Sequence, residues 1–407
     1  MTEKSFDVLI CGGGMTGAGL ASVLAKQGLT VAVFEAQKPA EFDLSQAFDL
    51  RISALSPQTK SVLERTDAWQ KLQAMRACPY RRMRVWEMQG FGDLTFDATQ
   101  VQASELGHIV ENRVTQLALW QTIADMPEVT VLCPEKPVKT YRQGDQVFVH
   151  TEAGKTYTGK LLVAADGGPS MVRQQFGIGV NRGQYEQACL VVSVNTALGQ
   201  QDITWQRFTA TGPQAFLPLP GQHGSVVWYH HADEVRRLNK LSNEELAQEI
   251  MSQFPQQLGQ IEVLEKSYFN LQKQHAQDYV QDGLALIGDA AHMINPLAGQ
   301  GVNLGFQDVA CLDEVIANAR AAGKDWWRAD VLQDYQQRRR WANRLMMQSM
   351  DAFYHGFSNE QSGLKWLRNG VLAMANLTPI KRQVIRYAMG MQDVTSTAGK
   401  VLGRWVG

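Results

Sequence analysis

The chain opens with an unbroken apolar run, Val8 to Ile10, then a cluster of glycines, a small-residue segment over Ala18–Lys26, and a second apolar run, "TVAVFE", ending at Glu35. Short apolar runs without polar alternation predict strands buried on both faces. The segment between them predicts a helix, with Gly28 placed to end it. This is one βαβ unit. Two further runs of the same kind, "KLLVA" at 160–164 and "LALIG" at 284–288, predict more strands of this type. Between 73 and 98 the rhythm changes, and "RRMRVWEM" and "DLTFDA" read as strands outside a βαβ series. From 106 to 176 helix and strand are expected to alternate again. From about 184 to 277 the text reads as an antiparallel sheet, "ACLVVSVNTA", "TWQRFTATG", "QAFLPLP" and "GSVVWYHH", with one helix, "NEELAQEIMSQF". After about 328 the pattern is helical to the end. The expected fold is α/β. A Rossmann-like unit (1–72, 99–183 and 278–330) is interrupted twice by a β unit (73–98 and 184–277), and a helical region (331–407) follows.

Composition narrows the picture. Hydrophobic residues are 44% and charged residues 19% of the 407, as in ordinary globular chains. A net charge of −1 argues against a general nucleic-acid binder. No apolar run reaches the roughly 18 residues that span a bilayer, and "MTEKSFDVLI" lacks a signal-peptide layout. Cys11, Cys78, Cys133, Cys189 and Cys311 are scattered and never form Cys-x-x-Cys, which fits a reducing, cytoplasmic setting and disfavours a metal site.

Gly12, Gly14 and Gly17 form G-x-G-x-x-G between the first strand and helix, with Met15 inside it. One glycine makes the tight turn, one lets backbone approach a pyrophosphate, and one lets helix and strand pack closely. The helix start offers N–H groups to the phosphate, and Glu35 can accept from ribose hydroxyls. The fingerprint alone does not choose between NAD and FAD. Two later stretches bear on that choice. "AADGGPSMVR" contains Asp166 after a strand. "GDAAHMINPLAGQGVNLGFQD" (288–308) packs glycines and a proline just before a helix. Glycine costs a helix interior roughly 1 kcal/mol against alanine, so close approach to bare backbone is the expected use.

In order and spacing, G-x-G-x-x-G, the D-G motif and G-D-A-A-H-x-x-x-P resemble the class A flavoprotein aromatic hydroxylases, the para-hydroxybenzoate hydroxylase superfamily. The resemblance implies FAD as cofactor and NAD(P)H as transient co-substrate. It implies that Asp289 holds the ribityl chain, that Asp166 supports FAD and the nicotinamide donor, and that Gly299, Gly301 and Gly305 allow close approach. It further implies that backbone N–H groups near Val302 and Asn303 meet the pyrimidine edge of the flavin, with Pro296 fixing the loop over the ring. A helix start there would face the negative charge of reduced flavin. His292 and Pro296 are the candidates nearest the chemistry, and His292 reads as a satisfied structural histidine rather than a base.

"FDLRISALSPQT", "PYRRMRVWE", "GHIVENRVTQLALWQ", "QAFLPLP" and "MDAFYHGFSN" are similar to the ubiquinone-biosynthesis hydroxylases, in particular their 3-demethoxyubiquinol hydroxylase branch. That likeness runs through nearly the whole chain. It implies a prenylated benzoquinol as substrate with O2, Arg51 and Arg113 on the flavin side, and contact with a biosynthetic complex. Gln274 and Pro169 depart from the pattern where arginine and a polar residue are usual. The tail from Lys365 carries seven Lys/Arg against one acid, Asp393. It reads as a packed helix or as peripheral contact with the inner face of a membrane. Alternatives are an FAD hydroxylase of a small soluble phenol and a non-catalytic flavoprotein component of a complex. Trp86, Phe216, Pro218, Trp228 and Tyr229 read as core more than pocket.

Overall fold

A computed structural model gives the fold. It describes residues 4–88, 93–294 and 301–357. The expectations at Pro296, Gly299 and the basic tail lie outside these residues.

The first strand, Val8–Cys11, is fully buried and leads through the glycines into a helix, Met15–Lys26. Gly28 follows the helix with φ +76°. Val8–Cys11 lies between Val31–Phe34 and Leu161–Ala164, all parallel. Leu284–Leu286 and Val129–Leu132 extend the parallel set at either side, and Val280–Gln281 adds an antiparallel edge. This six-stranded sheet and its helices share one core, with Leu9, Ile10, Val33, Val163, Ala285 and Phe306 wholly buried.

Residues 137–159 depart from the expected alternation of helix and strand. They form an antiparallel meander, Pro137–Gln143, Gln146–Thr151 and Thr156–Gly159, joined by Lys4–Ser5 as a fourth strand. The cause is local. Gly144 and Gly154 sit at positive φ in tight turns, and "QVFVHT" alternates buried and open positions, the period of a half-exposed strand.

An eight-stranded sheet holds Arg82–Glu87, Asp93–Asp97, Val180–Thr196, Ile203–Thr209, Gly212–Pro218, His223–His231, Ile261–Ala276 and His292–Met293. Helices Ala232–Lys240 and Asn243–Gln253 cover one face. Trp205, Phe216, Trp228 and Phe254 pack beneath them as a set of tilted, edge-on and stacked rings, and Tyr229 and Pro218 are also buried. Trp86 is partly buried against the same core. Cys78–Tyr80 joins Ile52–Leu55 and Gly107–Glu111 in a separate small sheet, so the large sheet takes from this part of the chain only the strands that begin at Arg82.

The long pair Val180–Thr196 and Ile261–Ala276 runs through the large sheet, and His292–Met293 pairs onto its end. Two long helices, Gly301–Ala321 and Ala329–Phe357, pack together behind the parallel sheet.

Candidate active site

The three motifs converge because their strands are neighbours. Gly12–Gly14, Ala165–Gly168 and Gly288–His292 each leave the carboxyl end of an adjacent parallel strand, and Glu35 leaves the next. The crevice outside those ends is where open α/β sheets bind ligands. The loops touch through backbone. Ala165 N donates to Cys11 O at 2.8 Å, Ile287 N to Ala164 O at 3.0 Å and Gly12 N to Phe34 O at 2.9 Å.

Two glycines here are required by contact. Gly12 has φ +107°, and a Cβ on it would stand 2.2 Å from Ala165 O. A Cβ on Gly17 would meet Gly12 O at 1.9 Å. Gly14 differs: nothing among the described residues lies within 4 Å of where its Cβ would be, so space stands over the helix start. No acid occupies the first turn of Met15–Lys26 or of Gly301–Ala321, leaving the positive ends of both helices unneutralised by their own sequence. A Cβ on Gly301 would also meet nothing within 4 Å among the described residues. Gly305 is unlike these, because a Cβ there would strike Thr16 Cγ2 at 2.4 Å, so that glycine serves helix packing.

Glu35 accepts from Gly13 N through Oε2 at 2.8 Å and from Gln37 N through Oε1 at 3.2 Å, which aims its carboxylate at the glycine loop. Asp166 Oδ2 accepts from Val172 N at 3.1 Å, while its Oδ1 is buried without a partner. Asp289 is exposed, yet desolvation raises its carboxyl pKa, against the pull of His292 and Arg51. A carboxylate that solvent can reach but protein surrounds sits on the floor of a cleft. Arg51 is itself exposed at the head of strand Ile52–Leu55, with its charge felt at Asp289.

These features fit FAD. An acceptor stands ready for ribose, a helix start with space above it for pyrophosphate, and two under-used carboxylates for the groups between. The residues that would hold it are Gly12, Gly14, Met15, Gly17, Glu35, Asp166, Asp289 and the helix start at Gly301, Val302 and Asn303.

Other named residues are spent on structure. The Asn303 side chain is buried. Its Oδ1 accepts from Ser56 N (2.9 Å) and Thr59 Oγ1 (2.7 Å), and its Nδ2 donates to Ala54 O (2.8 Å), so the side chain is committed to the Ala54–Thr59 segment. Arg113 grips Asp49 through Nε (2.9 Å) and a second nitrogen (3.1 Å), and donates to Ala40 O and Glu41 O, so it pins the 40–49 loop. His292 pairs its Nε2 with Asp308 Oδ2 at 2.5 Å and is 2% exposed.

Several residues behind the site brace it. Asp308 is wholly buried and accepts from Gly288 N, His292 and Arg339 Nε. Burial opposes its ionisation, but the charges and hydrogen bonds of His292 and Arg339 outweigh it and hold its pKa at about 2. Arg173, also buried, donates to Ala290 O (2.7 Å) and Gly168 O (2.8 Å) and so ties the second loop to the third. Gln274 Nε2 donates to the same Gly168 carbonyl at 2.9 Å and its Oε1 accepts from Arg182. The glutamine therefore braces the D-G loop, and the sheet supplies a guanidinium from the next strand. No group of three metal-ligating side chains occurs among the described residues.

The fold and the crevice define a flavin-binding class, and comparison with known proteins agrees. Residues 5–349 match the family model described as FAD binding domain, and the chain belongs to that family. It is an FAD-dependent aromatic monooxygenase that takes NAD(P)H as co-substrate. It is 43% identical over 392 residues to the 3-demethoxyubiquinol 3-hydroxylase of Escherichia coli, covering 96% of this chain and 100% of that one. Ubiquinone hydroxylase UbiL of Rhodospirillum rubrum is 34% identical, over 95% of this chain and 90% of its own. The ubiquinone biosynthesis monooxygenase COQ6 of Xenopus tropicalis is 32% identical, over 94% and 93%. Among solved structures, p-nitrophenol 4-monooxygenase PnpA of Pseudomonas putida superposes with TM-score 0.77 at 18% identity, covering 95% of this chain and 98% of that one.

Proposed function

We propose that the chain hydroxylates the benzoquinol ring of a prenylated ubiquinone precursor, using NAD(P)H and O2. The observation that carries this reading is the 43% identity to the E. coli enzyme across that enzyme's full length. The geometry supports it. Pairing of His292–Met293 onto Ile261–Ala276 sets the end of the large sheet against the Gly288–His292 loop, where a ring held by the sheet would meet a flavin held by the loops.

Bound FAD would supply the hydride acceptor for NAD(P)H and the means to activate O2, one oxygen atom going to the ring and the other leaving as water. In this reading the chain does the rest. Gly14 and Met15 offer the helix start to pyrophosphate, Glu35 accepts from ribose, and Asp166 and Asp289 accept along the connecting chain. The N–H groups of Val302 and Asn303 steady negative charge at the flavin edge. Arg51 adds a positive charge on the same side, and Arg113 keeps the 40–49 loop in place. Pro296 and Gly299 are assigned to the flavin site on the family likeness alone, and no residue of the chain is assigned as an acid or base. A prenylated substrate partitions into a bilayer, which supports a cytoplasmic enzyme peripheral at the inner face of the membrane, and the likeness to ubiquinone-biosynthesis hydroxylases supports contact with a biosynthetic complex.

Oxygen uptake with mass analysis of the product tests this. NAD(P)H oxidation should be slow with protein alone and faster with a reduced prenyl-benzoquinol, whose product gains one oxygen atom. Peroxide as the only fate of O2 would overturn the reading.

A further inference from the structure

The helix Ala329–Phe357 contains three successive arginines with different fates. Arg338 pairs with Glu314 and Asp334, and Arg339 is buried against Asp308. Arg340 is exposed, as is Arg344 one turn on, and neither makes an ion pair or hydrogen bond among the described residues. Between them stands Trp341, 46% exposed, the most open tryptophan or tyrosine described. Gln337, Arg340, Trp341, Arg344 and Gln348 recur at three- and four-residue spacing and so share one outward stripe. The opposite stripe, Leu332, Tyr335, Arg339, Ala342 and Asn343, is buried. No acid occurs in the sequence between Asp334 and Asp351. Unpaired guanidiniums around an open indole, with no carboxylate near in sequence, make a face with one chemical complement: negative charge over an apolar layer.

We infer that Arg340, Trp341 and Arg344 form a docking face for an anionic lipid bilayer. The guanidiniums would meet phosphate headgroups, and the indole would sit at the depth where amphipathic rings anchor. The chain's own C-terminal segment is a poor rival occupant, because from Lys365 onward it carries seven basic residues and one acid and would be repelled. An acidic protein would satisfy the arginines but not the open indole. The inference rests on the proposed lipid substrate for its purpose, although the surface itself does not depend on that substrate.

The test is co-sedimentation of full-length, flavin-loaded protein with vesicles, without substrate and at low salt. Phosphatidylcholine vesicles containing phosphatidylglycerol should bind it, and pure phosphatidylcholine should bind it far less. Arg340→Gln with Arg344→Gln should weaken binding about thirtyfold, since each cation near an anionic surface contributes roughly 1 kcal/mol. Trp341→Ala should weaken it about tenfold. Flavin content and melting temperature should stay at wild-type values in both variants, which separates lost docking from lost folding. Equal binding to both vesicle types, or unchanged binding by the double variant, would overturn the inference. So would loss of binding only in Lys381→Glu with Arg382→Glu and Arg386→Glu. Hydroxylation of a short-chain quinol analogue, measured in solution, reports separately on the proposed reaction.

Discussion

Replacing Asp289 isolates cofactor binding from folding. Its carboxylate makes no hydrogen bond among the described residues, and desolvation raises its pKa, so the protein without FAD gains nothing from it. Asp289→Ala should therefore leave the melting temperature of the apoprotein within a degree or two. With FAD bound, the substitution removes an acceptor whose hydrogen bonds are charge-assisted, a loss of about 1.5–3 kcal/mol. That corresponds to roughly ten- to hundredfold weaker FAD binding. The assay is fluorescence titration of apoprotein with FAD, beside thermal unfolding of the same preparations. An unchanged dissociation constant would refute the assignment. A melting temperature that collapses before FAD is added would refute the premise that Asp289 has no structural role. Asp289→Asn keeps an acceptor oxygen without the charge and should fall between.

Gly14→Val should also purify folded but depleted of flavin, because the side chain enters open space over the helix start; normal flavin absorbance would count against that space as the pyrophosphate site. Arg339→Met leaves Asp308 buried without its guanidinium partner, and denaturant unfolding should show a loss of roughly 3–5 kcal/mol. His108 and His275 are buried, and desolvation lowers the pKa of each to about 4. The unfolded chain therefore takes up these protons first as pH falls. Stability is intact above pH ~6.5 and declines toward pH ~4, by up to about 3 kcal/mol per histidine. His275→Gln should make stability less steeply dependent on pH across that window, as read from urea midpoints.

The first βαβ motif was legible because Gly17 and Glu35 are demanded by neighbours within the same unit, although Gly12 must also clear Ala165 O from a distant strand. Gly17 must clear Gly12 O, and Glu35 ends the strand that carries it to the Gly13 amide. The supporting groups were not legible in that way. Arg339 meets Asp308 from another helix, 31 residues away, and Arg173 reaches Ala290 O, 117 residues on. Such pairings exist only after helices have docked, and a polar residue on an otherwise regular helix announces none of them. Gly305 shows the opposite error: it lies within a ligand-binding stretch, yet its missing side chain makes room for Thr16. The meander at 137–159 was obscured because its short strands and turns sit between a helix and a buried parallel strand, where continuation of the βαβ rhythm was the simpler expectation.

The strand pair Val180–Thr196 and Ile261–Ala276 has a consequence for cooperativity. At one end Ala276 N donates to Ala291 O at 2.8 Å and Gln274 pairs with Met293, inside the flavin crevice. At the other end the same two strands carry Val192, Val194 and Val263 into the core of the large sheet. Along this ladder the described residues offer no linker at which one half could melt while the other persists, since opening it releases the Gly288–His292 loop and the aromatic core together. Heating should thus produce a single transition in which bound flavin, near-ultraviolet tryptophan signal and catalytic turnover vanish at one temperature.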